Sequence, residues 1–465
     1  MFRACRSLPP SKMYKKISPP DAVIGMTELD RDKFNAKFSV PCTTVTDPSS
    51  FNDILEKMKQ LFLKVANFKP VQELPDGGRR IIFDSEKLND HIIRQYEIQP
   101  TEIDLGYDNF PADVILKKVL SKATGGTGGA GFSIVGHILH LNLREHLLPY
   151  KKVIGQVLLD KTKNIQIVVN KTAEIQNEFR NFNFEILAGE GSTIARVKEN
   201  GCVYEFDFSK VYWNPRLSTE HDRITKLLSR NSILFDVFAG VGPFTMPAAK
   251  KGCTIYANDL NPDSYEYLVK NLKRNKIEHR VEAFKLDGRE FLRRVLVSKA
   301  ALYLGQDIHI TMNLPAVALE FLDVFPTLKL PAGCVLKIHC YCFVRSDCKR
   351  TATTWSLVRK HLGVKLGVAL PFQLDEDKAH FVRSVAPGKD MVRASFVLKY
   401  ITKKSATTTG ANIGASSTEC PADHGGSASG SHGITAGNAV STETSSTDET
   451  GPSEKKKMKT SDDVK

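Results

Sequence analysis

The stretch 232–251 constrains the fold of this chain more than any other. After Ser232, residues 233–239 form an apolar run interrupted only by Asp236; it passes into Gly240-Val241-Gly242-Pro243, and Thr245–Lys251 then carries helical spacing. A buried strand, a glycine turn that lets a ligand approach the backbone, and a helix make up the opening unit of a parallel sheet flanked by helices. The pattern persists, because strands read at 253–258, 281–286 and Ile308–Met312 alternate with longer helical stretches as far as about Tyr400.

Each of these strands ends on a polar residue. Asp259 lies seventeen residues after Gly242, where a carboxylate commonly binds a ribose hydroxyl pair; a structural turn with a capping Asp fits the same spacing. Thr245 replaces the third glycine of the dinucleotide fingerprint, which loosens pyrophosphate packing and disfavours a dehydrogenase. S-adenosylmethionine has no pyrophosphate to seat. Asp287-Gly288 offers a short polar side chain and an adjacent backbone for an adenine edge. In Asn313-Leu314-Pro315 an amide and rigid carbonyls can align a planar nitrogen nucleophile with a methyl donor, although Asn313 also suits a turn before a helix. Ligands bind at the carboxyl ends of strands in such sheets, and the four tips together resemble a class I methyltransferase domain.

The chain of 465 residues has room for two to four domains, and 65 Lys and Arg against 52 Asp and Glu give a formal charge of +13, which suits a polyanionic partner. No apolar run reaches the length of a membrane helix. Nine scattered cysteines suit a reducing compartment, and Cys340 and Cys342 sit in an apolar run that reads as a buried strand, so no metal is expected. The basic segment 1–20 has the composition of a mitochondrial transit segment, or of a flexible tail. The segment 125–131 reads as a glycine-rich linker. Before it, 21–124 forms a small α+β domain, with helical spacing over 51–68 and a short strand at 80–83. After it, 132–217 reads as a strand-rich middle domain, with strands at 132–142, 153–159, 165–169, 184–187 and 203–208. The α/β methyltransferase domain then spans 218–402. The tail 403–465 lacks aromatic residues and leucine and is expected to be disordered; its run of lysines at 455–459 suits a nuclear signal or extra nucleic-acid contact, or only solubility.

With 236–242, Asp259-Leu260-Asn261-Pro262 and Asn313-Leu314-Pro315 in view, the chain resembles the archaeal and eukaryotic tRNA (guanine-37-N1)-methyltransferase family. The blocks 136–144, Phe179-Arg180, 187–190 and 211–220 are similar to that family's middle-domain blocks, so the resemblance covers about residues 40–402. It implies an amino-terminal domain that docks on the outer corner of tRNA, with the middle and methyltransferase domains following. It also implies Arg180 and Glu220 as catalytic groups. Tyr212, His221, Asp259, Leu260, Asp287, Gly288 and Asn313 are implied around S-adenosylmethionine, and Pro315 as shaping the substrate pocket. The family's biology allows one product to serve the mitochondrial matrix, nucleus and cytoplasm, and a monomer is expected.

The chemistry agrees with these assignments. Guanine N1 carries a proton at neutral pH, so a carboxylate in reach can act as general base, and Glu220 is the candidate. Charge then spreads to O6, where a guanidinium such as Arg180 stabilises it. Without the resemblance, Glu220 reads equally as a helix-start acid and Arg180 as a surface arginine. Rival readings are a methyltransferase for another RNA base or a protein, and an inactive tRNA-binding protein.

Overall fold

The computed structural model describes Tyr14 and residues 16–125, 131–172, 183–347, 349–365, 369–376 and 379–401. Arg180, nearly all of the basic segment 1–20, the middle of the glycine stretch and the tail with its terminal lysines lie outside the described residues.

Four antiparallel strands open the chain: β1 (Ala36–Val45), β2 (Val71–Glu73), β3 (Arg79–Ile82) and β4 (Gln99–Leu105), in the order β2-β3-β1-β4. The helical spacing read over 51–68 is realised only as Pro48–Met58, followed by a 3-10 turn, Lys59–Leu61. Phe62 then makes an isolated bridge to Phe83, and the later apolar residues Leu63, Val65 and Phe68 pack in the neighbouring core without a helix.

The next sheet has the order β5-β6-β7-β8. The single strand expected over 132–142 is a hairpin of β5 (Phe132–Val135) and β6 (Ile138–Leu141), turned at Gly136. β7 is Ile167–Lys171 and β8 is Phe184–Gly189. The strand expected at 153–159 is instead part of the helix Lys151–Lys161. Val153, Ile154, Val157 and Leu158 are all buried, and their spacing i, i+1, i+4, i+5 is that of a helix face; a short apolar run rich in Val and Ile does not separate the two. Gly155 lets this helix lie on β8, since a Cβ there would stand 2.6 Å from Cβ of Leu187. One apolar core contains Val23, Ile115 and Leu116 together with Val153, Val157 and Ala188, so packing runs continuously across the glycine stretch.

A two-stranded ribbon follows, β9 (Ile194–Glu199) with β10 (Cys202–Asp207). The sequence reading missed β9, where only Ala195 is buried. The free edge of β10 is satisfied by side-chain amides: Asn271 exchanges both amide hydrogen bonds with the Glu205 backbone at 2.9 and 3.1 Å, and Asn275 does so with Val203 at 3.0 and 2.7 Å. Both asparagines belong to the region Pro262–Asn275 of the next layer, and this locks the ribbon to it.

The large sheet comprises β11 (Ile233–Asp236), β12 (Thr254–Asn258), β13 (Val281–Phe284), β14 (Ile308–Met312), β15 (Val335–Arg345), β16 (Phe372–Glu376), β17 (His380–Ala386) and β18 (Lys389–Tyr400). Its order is β13-β12-β11-β14-β15-β18-β16, with β17 also on β18. β11 to β15 are parallel and β18 runs antiparallel to β15. The order reverses between β11 and β14, and at such a switch point the strand tips leave a crevice.

Candidate functional site

At that crevice the tips of β11, β12, β13 and β14 form one wall of a cleft of about 1280 Å³, which Tyr212, His221, Asp259, Leu260, Asp287, Gly288, Asn313 and Pro315 all line. The structure thus brings together eight of the ten residues singled out in the sequence. Arg180 is outside the described residues, and the carboxylate of Glu220 is directed elsewhere.

Asp236, at the end of β11, is fully buried and accepts hydrogen bonds from the Thr245 and Thr311 hydroxyls, each at 2.8 Å. It ties β11 to β14 and to the helix behind the glycine turn, which accounts for Thr245 at the position of the missing glycine. Burial pushes the Asp236 carboxyl up to about 6. Asp259 accepts the backbone N–H of Gly240 at 2.8 Å and of Asn261 at 3.0 Å, and burial pushes its carboxyl up to about 6 as well.

Asn258 went unnoticed in the sequence. Its amide donates to the carbonyls of Val237 and Leu286 at 3.1 and 2.9 Å and accepts from Leu286 N–H at 2.9 Å, which staples three strand tips together. The available signal was a polar residue closing an otherwise apolar strand. Asp287 caps the short helix Gly288–Phe291 by accepting the Arg289 and Glu290 N–H groups. At Gly288 a Cβ would stand 2.9 Å from both Phe238 and Phe321, two rings that also line the cleft. Asn313 has a buried Oδ1 with no hydrogen-bond donor among the described residues. An orphaned acceptor at a cleft wall is costly unless a ligand supplies the donor.

Tyr212 is 44% exposed and accepts a hydrogen bond from Asn214 at 3.3 Å. His221, in the helix Ser218–Leu227, is buried, meets Glu199 through Nδ1 at 2.6 Å and stands edge-on to Phe244. Its neighbour Glu220 is only 3% exposed: Oε1 accepts from Tyr341 at 3.0 Å and Arg393 at 2.7 Å, while Oε2 meets Arg223. Lys151, Lys171 and Lys389 line the cleft. Arg216 and Arg383 add charge nearby, and burial together with Arg216 pushes the Arg383 guanidinium below its usual range. Arg216 donates to the Phe132 carbonyl and Arg383 to the Ser384 carbonyl, at 3.4 and 3.3 Å, with no acid paired to either among the described residues, and no cluster of His, Cys, Asp and Glu there could hold a metal.

A parallel sheet with a reversed order at β11 and β14, a glycine turn, a carboxylate at the next tip and Asn-Leu-Pro beside it define a class I methyltransferase fold. The sequence model of the TRM5/TYW2 methyltransferase domain matches residues 194–360, and that of the TYW2 N-terminal domain matches 113–193. The methyltransferase match takes in β9 and β10, which a division at 217/218 leaves with the middle region. The chain is 44% identical over 407 residues to a tRNA (guanine(37)-N(1))-methyltransferase of Xenopus tropicalis, covering 82% of this chain and 80% of that one. The human protein of the same name is 41% identical over 404 residues, covering 82% and 77%. Among solved structures, a complex of aTrm5 with tRNALeu superposes with a TM-score of 0.55 at 25% identity, and wild-type Trm5b from Pyrococcus abyssi with 0.56 at 24%; each covers 78% of this chain and all of the other. The chain belongs to the tRNA (guanine(37)-N(1))-methyltransferase family within the TRM5/TYW2 group.

Proposed function

We propose that this protein methylates N1 of guanosine-37 in tRNA, with S-adenosylmethionine as the donor. The observation that carries the reading is the Asn313 Oδ1, without a donor among the described residues, in the cleft that Pro315, Asp259 and Asp287 also line. The Watson–Crick edge of guanine presents two adjacent donors, N1–H and the 2-amino group, and an acceptor held there can take one of them.

The residues present fit the cofactor. Asp259 keeps lone pairs for a ribose hydroxyl pair beyond those taken by Gly240 and Asn261. Leu260 and Phe238 offer apolar surface to a purine, and Gly288 lets the Phe238 and Phe321 rings close against the strand tip. When bound, S-adenosylmethionine supplies an electrophilic methyl group. The protein's task is to orient the guanine, exclude water and take the N1 proton.

Glu220 is the proposed base. Its carboxylate lies behind the cleft-lining pair Phe343 and Met391, held by Arg393, Tyr341 and Arg223. Of the two arginines, Arg223 is the more exposed, at 38% against 8%, so its departure frees Oε2 while Oε1 stays fixed. Arg180 is assigned to the charge on O6. The cations around Arg216 and Arg383 suit the phosphates flanking the target nucleotide. The enzyme is taken to act as a monomer in the mitochondrial matrix, nucleus and cytoplasm; reporters fused to 1–20 and to the lysine-rich tail test the two addresses.

Incubation with unmodified tRNA transcripts carrying G or A at position 37, followed by nucleoside analysis, tests the function. N1-methylguanosine from the G transcript alone is the expected result. Methylation of both transcripts, of neither, or at another base rejects the reading.

A further inference from the structure

Beneath the cleft a line of polar side chains crosses the large sheet where apolar residues would ordinarily pack. Cross-strand pairs of β15 and β18 form its ladder: Phe343 with Met391 at the cleft, then Tyr341 with Arg393, then His339 with Ser395. Positions two apart share one face of a strand, so the three pairs stack on one face. Met312 is in register with Cys340, which sets Asn313 and Tyr341 next on neighbouring strands and places the second pair at the level of the tips.

Hydrogen bonds link these residues from end to end. Arg393 Nη1 reaches Glu220 at 2.7 Å, and Arg393 Nε donates to Ser395 Oγ at 3.2 Å. Ser395 Oγ meets His339 Nδ1 at 3.0 Å, His339 Nε2 meets His309 Nδ1 at 2.9 Å, and His309 Nε2 meets Asp307 at 3.0 Å. The ends fix the direction. A guanidinium only donates and an ionised carboxylate only accepts, so with both imidazoles neutral each group passes one hydrogen onward, from Arg393 to Ser395, His339, His309 and Asp307. Burial, the larger influence on each, pushes both imidazoles below their usual range, in keeping with neutral rings. Asp307 is anchored in turn by Lys337 at 2.6 Å and Ser232 at 2.7 Å.

Apolar side chains of similar volume often fill such sites at no cost in stability, so a buried ion pair backed by four further polar groups is weakly explained by stability. We propose that Arg393 is a positioning residue for Glu220, held at a fixed angle by the line Ser395–His339–His309–Asp307, so that Oε1 stays anchored while Oε2 serves the guanine. The proposal rests on the reading of Glu220 as base. The other charged or titratable groups facing that carboxylate are Arg223 of its own helix, Tyr341 of β15 and His380 of β17, with Nε2 at 4.0 Å.

The test compares full-length Ser395→Ala, Ser395→Thr and Arg393→Lys with the wild type in single-turnover methylation across pH, alongside melting temperature and the affinities for cofactor and tRNA. Ser395→Ala is expected to slow the step by about tenfold and Arg393→Lys by about a hundredfold, with both affinities within about threefold of wild type. Ser395→Thr, which restores the hydroxyl, should recover the rate. An unchanged rate in folded Ser395→Ala overturns the proposal, as does a lower melting temperature with kinetics intact or a Ser395→Thr variant that stays as slow as Ser395→Ala. If Ser395→Ala does not fold, His339→Gln, which interrupts the same line one residue further on, is read by the same criteria. A wild type that makes no N1-methylguanosine removes both the function and the proposal, whereas product from the wild type with indifferent variants removes only the latter.

Discussion

The carboxylate of Asp259 accepts the backbone N–H of Gly240 at 2.8 Å, so the acid at one strand tip fixes the glycine turn at the tip of the next. Its second oxygen holds Asn261 N–H at 3.0 Å, which starts the following helix. The side chain proposed to read the cofactor ribose is therefore also the one that shapes the turn.

Asp259→Ala should lose both roles. A hydrogen bond to a charged group is worth roughly 1.5–3 kcal/mol, so S-adenosylmethionine affinity should fall by about 10- to 100-fold while tRNA affinity holds. Wild-type affinity should also weaken below pH 6, because the carboxyl sits at about 6 and its protonation removes acceptor strength. Calorimetric titration at pH 5.5 and 7.5 checks both, and equal affinity for variant and wild type would dismiss Asp259 from the cofactor site.

Asp236 gives a test of stability against pH. Its folded carboxyl is raised to about 6, against about 3.9 in an unfolded chain, so the native state binds more protons between those values. The associated stability is fully present below about pH 4 and is lost as pH rises through 6. The difference of about two units corresponds to roughly 3 kcal/mol. Asp236→Asn removes that loss and can keep one hydroxyl partner, so its melting temperature relative to wild type should be higher at pH 7.5 than at pH 5. A difference independent of pH counts against an ionised, destabilising Asp236.

Arg383 lies half-buried beside Arg216 without an ion-pair partner among the described residues. If it neutralises one tRNA phosphate, Arg383→Ala should weaken tRNA binding and make the slope of log affinity against log salt shallower by about one. Binding assays from 50 to 300 mM salt, roughly the range where counterion release is readable, measure both. An unchanged slope would place the phosphate elsewhere.

How far the sequence could be read follows from what each residue does. Asp259, Asp287 and Asn313 were legible because they close apolar strands, and a strand tip in a parallel sheet faces the crevice whatever the rest of the chain does. The helix Lys151–Lys161 was not, because its apolar run is short and rich in Val, Ile and Leu, and such composition favours a buried strand even where the spacing is that of a helix face. Thr245 showed only a missing glycine, although its hydroxyl serves Asp236 just nine positions away; the other donor to Asp236, Thr311 of β14, is 75 positions away, and no local pattern carries that contact. The same holds for Arg393, separated from Glu220 by 173 positions. Glu220 itself was legible as a residue but not in its orientation, which β15 and β18 determine.

The two catalytic assignments differ in how they respond to pH. Glu220→Gln keeps the side-chain shape and loses the base, so single-turnover methylation should slow by about 10²–10⁴-fold at neutral pH. Its melting temperature should fall as well, because Arg393 and Arg223 then face an uncharged amide in a buried site. Cofactor affinity should persist, since the carboxylate is directed away from the ribose-side wall. Raising the pH deprotonates more of the guanine without help and should partly rescue Glu220→Gln. Arg180→Ala should gain less, because its deficit lies in the charge on O6 and persists once the proton has gone. Rates from pH 6 to 9.5, taken at saturating tRNA and cofactor, give the comparison its sign. Equal slowing of Glu220→Gln at every pH, or no slowing, would leave Glu220 as the anion that neutralises two arginines and move the search for the base to the groups that face the cleft.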